Sequence, residues 1–190
     1  MKRLFDLIFS SLGLLVLSPV LLVLYVLIRS DGGPAFFCQQ RMGYQGRIFY
    51  VFKLRSMVVN ADKMGSQVTA ASDPRITRIG SFLRKTKLDE LPQLVNVLRG
   101  DMSLVGPRPE VPYYVQKWPD ADRELILSVQ PGITDYATLY YSDEQAVLAQ
   151  AEDREKAYLE DVLPHKLSLY RQYVREQSLW LDFRLIIATL

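Results

Sequence analysis

The sequence predicts an α+β protein that is mostly helical, with one long apolar helix at the N-terminus followed by a small domain that contains a short β-hairpin. Three features support this. Residues 7–28 carry no charge, two aromatic-rich segments at 35–40 and 47–52 are joined by a glycine-containing loop, and apolar residues recur at helical spacing in several later segments. We therefore expect two parts, a membrane helix at 1–30 and a domain at 31–190 that is large enough to form its own core.

The N-terminal apolar run is long enough to cross a bilayer. Leu7 to Ile28 gives 22 uncharged residues, which span roughly 33 Å as a helix. Pro19 lies in its middle and removes the hydrogen bond to the carbonyl of Leu15, and the hydroxyl of Ser18 can satisfy that carbonyl. The sequence therefore predicts a helix that is broken at Ser18-Pro19.

Positive charges at both ends of this run leave its topology open. Lys2 and Arg3 precede it and Arg29 follows it. The positive-inside rule therefore selects neither a straight span nor a helix that bends back and leaves both ends on the cytoplasmic face. A cleaved signal peptide is not expected, because the run is too long and no small-residue cleavage site follows it.

The cysteine and histidine content excludes several catalytic classes. Cys38 is the only cysteine, so the sequence has no disulfide framework, is compatible with a reducing compartment and predicts a buried thiol. His165 is the only histidine, which removes most Ser-His-Asp, Cys-His and zinc sites.

The net charge of +2 conceals a marked asymmetry along the chain. Residues 1–109 contain 15 Lys and Arg against 7 Asp and Glu, whereas residues 110–163 contain 4 against 12. The basic half adjoins the membrane helix and would face anionic headgroups and anionic substrates. We do not expect a nucleic acid partner, because the sequence contains no recognised nucleic-acid-binding module.

Two later segments have the pattern of amphipathic helices. Residues 75–87 alternate apolar and basic side chains, and residues 179–187 have the same character, with Trp180 suited to headgroup depth. Either helix could instead face the core of the domain. The acidic stretch Gln145–Val162 is expected to be a solvated helical region away from any site.

The most informative segment contains two adjacent carboxylates, Asp89 and Glu90. Apolar residues at helical spacing predict one helix from Glu90 to Arg99, with Pro92 in its first turn. Asp89 would then lie at the N-cap, where unsatisfied backbone donors favour an anion. An ordinary capping aspartate is one interpretation of this pattern.

The cations around this pair favour a second interpretation. Arg84, Lys85 and Lys87 precede it, and Arg108 follows between two prolines that restrict its backbone. Carboxylates beside several cations are typical of a site that handles a polyanion, where an aspartate can act as nucleophile or hold a divalent metal while arginines bind phosphate oxygens. Lys53 and Arg55 would join these cations on one side if the second strand continues that far.

Six motifs and the Ser18-Pro19 break occur in an order that resembles the bacterial sugar transferases called monotopic phosphoglycosyl transferases. The resemblance covers nearly the whole chain. The motifs are Gln40-Arg41-Met42-Gly43, Phe52-Lys53-Leu54-Arg55-Ser56-Met57, Lys87-Leu88-Asp89-Glu90-Leu91-Pro92-Gln93, Gly100-Asp101-Met102-Ser103, Gly106-Pro107-Arg108-Pro109-Glu110 and Pro131-Gly132-Ile133-Thr134.

The resemblance implies transfer of a sugar phosphate from a nucleoside diphosphate sugar, usually a UDP-sugar, to polyprenol phosphate. It further implies that Asp89 is the covalent nucleophile, that Glu90 is its partner and that Mg²⁺ binds beside Asp89. The membrane helix would be re-entrant and the catalytic domain would lie on the cytoplasmic face of a bacterial inner membrane. Membrane lipids would be further partners, and a homodimer is a candidate assembly.

The resemblance and the charge of the substrate together predict the substrate contacts. Cations near the acidic pair would neutralise the diphosphate, and the Pro-Gly-Ile-Thr motif would contribute further contacts. The predicted substrate-binding residues are Arg84, Arg108, Lys53, Arg55, Arg41, Pro131, Gly132 and Thr134.

One segment departs from the family pattern. Many members continue Pro-Gly-Ile-Thr with glycine and a later Gly-Arg or Gly-Asn pair, whereas this chain has Asp135-Tyr136-Ala137-Thr138 and then Tyr140-Tyr141-Ser142. Sugar specificity and part of nucleotide recognition therefore do not carry over. Two other functions remain as alternatives: a membrane-tethered module that binds anions without turnover, and a magnesium-dependent diphosphate hydrolase at the membrane.

Overall fold

The structure is a computed structural model that describes residues 1–61, 64, 73–141, 148, 151 and 153–189. It confirms an α+β fold that is mostly helical, with two short two-stranded sheets within the described part of the chain. The helices and strands are α1 (Lys2–Arg29), β1 (Phe36–Met42), β2 (Ile48–Leu54), α2 (Arg78–Lys85), α3 (Gln93–Arg99), β3 (Ser103–Val105), α4 (Pro112–Val115), α5 (Asp120–Ile126), β4 (Gly132–Thr134), α6 (Tyr136–Tyr140), α7 (Arg154–Ala157), α8 (Leu163–Glu176) and α9 (Leu179–Thr189).

Helix α1 contains the whole predicted apolar run and is, within the described residues, the one helix long and apolar enough to cross a membrane. Pro19 lies inside it, and the Ser18 hydroxyl donates to the carbonyl of Leu15 at 2.8 Å. The predicted repair of the carbonyl freed by Pro19 is therefore confirmed. The helix is continuous from Lys2 to Arg29, so the structure does not interrupt it at Ser18-Pro19 as predicted, and re-entry stays a prediction.

The two ends of α1 both contact the same domain. At the N-terminal end, Arg3 donates to the carbonyls of Val97 and Leu98, and the Asp6 carboxylate accepts from the backbone N–H of Leu104 at 3.1 Å. At the other end, Leu24 and Ile28 are buried against Ala35, Leu54 and Leu83, which belong to the hairpin region and α2. Both ends of the helix are therefore anchored to the domain, whereas most of the apolar run between them is exposed.

The predicted hairpin is confirmed, with each strand shifted by one or two residues. Strands β1 and β2 pair antiparallel in a register that places Cys38 opposite Phe52 and Gln39 opposite Val51. Val51 is buried, so the opposite face of the hairpin points to solvent, and Cys38 lies on that outward face. The prediction of a buried thiol was therefore wrong.

The two predicted amphipathic helices form, over slightly different ranges. Helix α2 begins after Thr77, whose side chain accepts from the N–H of Gly80 at 2.9 Å, and buries Leu83. Helix α9 buries Asp182 and Leu185 against the domain. Its other face exposes Trp180, which is 69% accessible, together with Leu179, Phe183 and Ile187.

The largest core cluster lies beneath the C-terminal helices. It packs Val115 and Trp118 against Tyr158, Val162 and Tyr170. The predicted solvated region Gln145–Val162 is therefore wrong at its C-terminal end, because Tyr158 and Val162 belong to the core. Residues 145–147, 149, 150 and 152 of that region lie outside the described residues.

Candidate active site

The acidic pair lies in a tight turn between α2 and α3. A 3₁₀ turn spans Leu88–Glu90, and α3 begins only at Gln93, with Pro92 at its N-cap. The prediction of a single helix from Glu90 capped by Asp89 was wrong. Lys87 takes the left-handed conformation (φ 56°, ψ 16°), which is typical of the residue after a helix C-cap and separates α2 from the 3₁₀ turn.

Glu90 binds two of the predicted cations at once. Its Oε2 accepts from Arg108 Nη1 at 2.9 Å, and its Oε1 accepts from Lys53 Nζ at 2.8 Å and from Arg108 Nη2. Burial acts to raise the pKa of Glu90, but the charges and hydrogen bonds of Arg108 and Lys53 outweigh it and hold the pKa well below its ordinary value. Glu90 is therefore an anion that fixes the positions of Lys53 and Arg108.

Asp89 is in a different environment although it is the adjacent residue. It is 8% exposed, and no group in the described part of the chain donates a hydrogen bond to its carboxylate. Burial raises its pKa, and the positive charge of Lys53 partly offsets that effect. The pKa values of the two adjacent carboxylates are therefore shifted in opposite directions, which favours the ionised form of Glu90 and disfavours that of Asp89.

Arg84 lies close enough to act electrostatically on Asp89. Its Nε donates to the Ser56 hydroxyl at 2.8 Å, while its Nη1 is buried without a partner among the described residues. Helix α2 packs directly on this segment, since a Cβ placed on Gly80 would lie 1.8 Å from the carbonyl oxygen of Ser56. Ser56 occurs in a quoted motif, but sequence reasoning gave it no role.

The chain segment that leads to Arg108 is held by backbone hydrogen bonds to Pro131, Gly132 and Thr134. Strand β4 pairs parallel with β3, and the N–H of Gly132 donates to the carbonyl of Pro107 at 3.0 Å. A Cβ on Gly132 would lie 2.0 Å from the backbone nitrogen of Gly106, so this approach requires glycine. The contacts seen here are structural, and a direct role in substrate binding stays a prediction.

Arg41 lies near the same segment, whereas Arg55 does not. Arg41 Nη1 donates to the carbonyl of Pro109 at 3.3 Å and lies 3.4 Å from the Glu110 carboxylate. Arg55 is buried at the end of α1, where it donates to the carbonyl of Ile28 and pairs with Asp31. Because β2 ends at Leu54, the structure does not bring Arg55 together with Lys53.

Glu110 is a functional candidate that sequence reasoning missed, although it closes a quoted motif. Its Oε1 accepts from Lys166 Nζ at 2.9 Å and from the Tyr158 hydroxyl at 2.7 Å. Burial acts to raise its pKa, but the charges of Lys166 and Arg41 outweigh it and lower the pKa to about 2. No sequence pattern pointed to Lys166, because it follows the acidic stretch that was expected to be solvated.

The carboxylates of the site fit Mg²⁺ only in combination with substrate. The described residues contain no group of three or more His, Cys, Asp or Glu side chains that could hold a metal ion. Glu90 is occupied by cations, which leaves Asp89 as the available carboxylate. Mg²⁺ is commonly held by one or two carboxylates together with substrate phosphates and water, so Asp89 fits as a single protein ligand.

Comparisons with known proteins find similar sequences in several bacteria. The undecaprenyl-phosphate glucose phosphotransferase of Komagataeibacter xylinus is 42% identical over 196 residues, covering 100% of this chain and 35% of that protein. The UDP-glucose:undecaprenyl-phosphate glucose-1-phosphate transferase of Escherichia coli K12 is 38% identical over 194 residues, covering 100% of this chain and 39% of that protein. The putative undecaprenyl-phosphate N-acetylgalactosaminyl 1-phosphate transferase of Bacillus subtilis is 48% identical over 118 residues, covering 62% of this chain and 66% of that protein.

The chain spans between a third and two-fifths of the length of the first two of these relatives. The sequence profile described as bacterial sugar transferase matches residues 1–190, the whole of this chain. The chain belongs to the bacterial sugar transferase family.

Proposed function

We propose that the protein transfers a phospho-sugar from a nucleoside diphosphate sugar, a UDP-sugar in the first instance, to polyprenol phosphate. The names of three relatives describe sugar phosphate transfer to undecaprenyl phosphate, and one of them gives UDP-glucose as the donor. The observation that carries the proposal is the difference between two adjacent carboxylates: Asp89 is buried and accepts no hydrogen bond from the described residues, whereas Glu90 is paired with Lys53 and Arg108.

The reaction takes place in two steps. An oxygen of Asp89 attacks the phosphorus that bears the sugar, the bond from this phosphorus to the bridging oxygen breaks, and the nucleoside monophosphate leaves. An oxygen of polyprenol phosphate then attacks the same phosphorus, the bond to Asp89 breaks, and polyprenol diphosphate sugar is released. No water enters either step, so the acyl phosphate on Asp89 must be protected from hydrolysis.

The cations of the site match the charge of this substrate. Lys53, Arg84 and Arg108 all act on the Asp89 carboxylate, and a diphosphate brings further negative charge to the same place. Glu90 keeps Lys53 and Arg108 in position before substrate arrives, so they need not reorganise during the reaction. Mg²⁺, when bound through Asp89 and the phosphate oxygens, would supply additional neutralisation.

The position of α1 supports a re-entrant topology. Lys2 pairs with the buried Asp182 at one end of the helix, and Arg55 donates to the carbonyl of Ile28 at the other. A helix of 28 residues is about 42 Å long. If it crossed the bilayer, one of these polar contacts would be separated from the domain. The exposed apolar side chains of α9 could rest at the same interface, which brings the site close to a lipid-bound acceptor.

Release of nucleoside monophosphate tests the proposal. The purified protein in nanodiscs is incubated with Mg²⁺ and a panel of UDP-sugars, with and without polyprenol phosphate, and Asp89→Asn is the control. We expect at most one equivalent of UMP without acceptor and continuous turnover with it. Continuous turnover without acceptor would identify a hydrolase, and binding without any UMP release would identify an anion-binding module.

A further inference from the structure

A second charge cluster lies beside the proposed catalytic carboxylates and takes no part in the proposed chemistry. It consists of Glu110, Arg41, Lys166 and Tyr158, and we refer to it as the Glu110 cluster. Glu110, Lys166 and Tyr158 are each less than 10% exposed, and the Arg41 side chain is 19% exposed. Arg41 is therefore the member that is accessible to a substrate.

The two carboxylate oxygens of Glu110 accept different numbers of hydrogen bonds. Lys166 and Tyr158 both donate to Oε1, at 2.9 and 2.7 Å, whereas Arg41 lies 3.4 Å from Oε2. In contrast, Arg108 binds both oxygens of Glu90 through a forked pair of hydrogen bonds. Lys166 and Tyr158 therefore take up one oxygen of Glu110, while Arg41 makes one long contact to the other oxygen and donates from Nη2 to the neutral amide oxygen of Gln39 at 2.6 Å. Among the described residues, Glu110 is the carboxylate that pairs with Arg41.

Backbone contacts place Arg41 beside the proposed phosphate-binding arginine. The N–H of Met42 donates to the carbonyl of Glu110 at 2.9 Å, and Arg41 donates to the carbonyl of Pro109. Burial lowers the pKa of Arg41, and the positive charge of Arg108 adds to this effect, whereas the negative charge of Glu110 opposes it. Arg41 is therefore held at Pro109, one residue from Arg108, and a bound diphosphate would bring negative charge to both guanidinium groups.

An unusual turn brings Tyr158 and Lys166 to the same carboxylate. They are eight residues apart, which in a regular α-helix places side chains about 80° apart around the axis. A π-helical turn at Tyr158–Val162 lies between α7 and α8. A π turn inserts one residue, so the two side chains come within about 20° of each other.

We propose that Lys166 and Tyr158 are positioning residues that hold Glu110 so that Arg41 remains available to bind the diphosphate of the nucleotide sugar. This inference rests on the proposed function. Removing the Lys166 charge leaves Glu110 and Arg41 as a one-to-one pair, and the carboxylate then competes with the substrate for Arg41. The structure also provides a matched control, because Lys117, Tyr113 and Glu155 form the same trio of residue types on the surface.

Binding of UDP with Mg²⁺ to the nanodisc-embedded protein tests the inference. For Lys166→Met we expect a Kd for UDP and a KM for the nucleotide sugar about tenfold higher, with a much smaller change in kcat. Glu110→Gln combined with Lys166→Met removes one charge of each sign and should recover most of the loss. Tyr158→Phe should shift the Kd in the same direction by about twofold to threefold, and Lys117→Met should not shift it.

Several results would overturn the inference. An unchanged Kd in folded Lys166→Met, a double variant no better than the single one, or a fall in melting temperature without any change in Kd would each show that Lys166 is only structural. If Lys166→Met does not fold, Tyr158→Phe decides the question alone, because it removes only the hydroxyl, which donates to Glu110 at 2.7 Å and accepts from Lys166 at 3.5 Å, and leaves the ring in place. Failure of the proposed function is distinguished separately, by full turnover in Asp89→Asn.

Discussion

At the scale of single residues, we assign different tasks to the two adjacent carboxylates of the site. Glu90 is ionised and holds Lys53 and Arg108, while Asp89 is buried and accepts no hydrogen bond from the described residues. Asp89→Asn should therefore abolish turnover, with a residual rate below about one per cent, because it removes the nucleophile at constant shape. The measurement is UMP release in the presence of polyprenol phosphate.

Glu90→Gln provides the comparison for that variant. It leaves the nucleophile intact but frees Lys53 and Arg108, so the first step should be slow and the KM for nucleotide sugar should change as well. In Asp89→Asn, by contrast, UDP should still bind. Loss of UDP binding in Asp89→Asn would contradict the assignment of separate tasks.

The pH dependence of the first step follows from the burial of Asp89. Burial raises its pKa above the ordinary aspartate value of about 3.9. Since only the carboxylate attacks, kcat/KM should fall as the pH decreases through this raised pKa. Arg84 lowers the pKa of Asp89, so Arg84→Gln should move the acid limb of the pH profile, the range in which kcat/KM falls with decreasing pH, to higher pH.

Lys85→Gln is the matched control for that experiment. Lys85 is the next residue of α2 and is exposed. Its replacement should leave the acid limb in place. A limb that does not move in Arg84→Gln, or that moves equally in both variants, would show that Asp89 does not control the profile.

At the scale of elements, the left-handed residue Lys87 leads into the turn that carries Asp89 and Glu90. Its φ of 56° is costly for a residue with a side chain, whereas glycine adopts it readily. Lys87→Gly should therefore stabilise the protein by up to about 1 kcal/mol. Lys85→Gly, in the last turn of α2, should destabilise it by about 0.5–1 kcal/mol. Thermal unfolding in nanodiscs measures both changes in stability. A change of the same sign in the two variants would contradict the explanation.

The elements also show how far sequence reasoning can go. The hairpin, α2 and α9 were predictable because their apolar periodicity is local. The turn at Leu88–Glu90 was not predictable, because the same apolar spacing is compatible with one continuous helix. In addition, a lysine at position 87 gives no sign in the sequence that this residue adopts the left-handed conformation. The partners of Glu110 were also beyond reach, since Lys166 and Tyr158 are brought to it by a π turn and by packing of distant segments.

At the scale of the whole molecule, the polar contacts at both ends of α1 favour a topology with both ends on the cytoplasmic face. Replacing Ser18 with leucine and Pro19 with alanine should favour a continuous spanning helix and move part of the population to a topology with a periplasmic N-terminus. A single cysteine at position 4 reports the side, in a background with Cys38→Ser because Cys38 is itself exposed. A wild-type N-terminus labelled from the periplasm would contradict re-entry.

The central claim is that Asp89 carries the phospho-sugar between donor and acceptor. The most direct measurement is peptide mass spectrometry after incubation with Mg²⁺ and the productive UDP-sugar in the absence of polyprenol phosphate. We predict one phospho-sugar adduct on the peptide that contains Asp89, its disappearance on addition of polyprenol phosphate, and no adduct in Asp89→Asn. An adduct on another residue, or a stoichiometric release of UMP with an unmodified Asp89, would contradict the account.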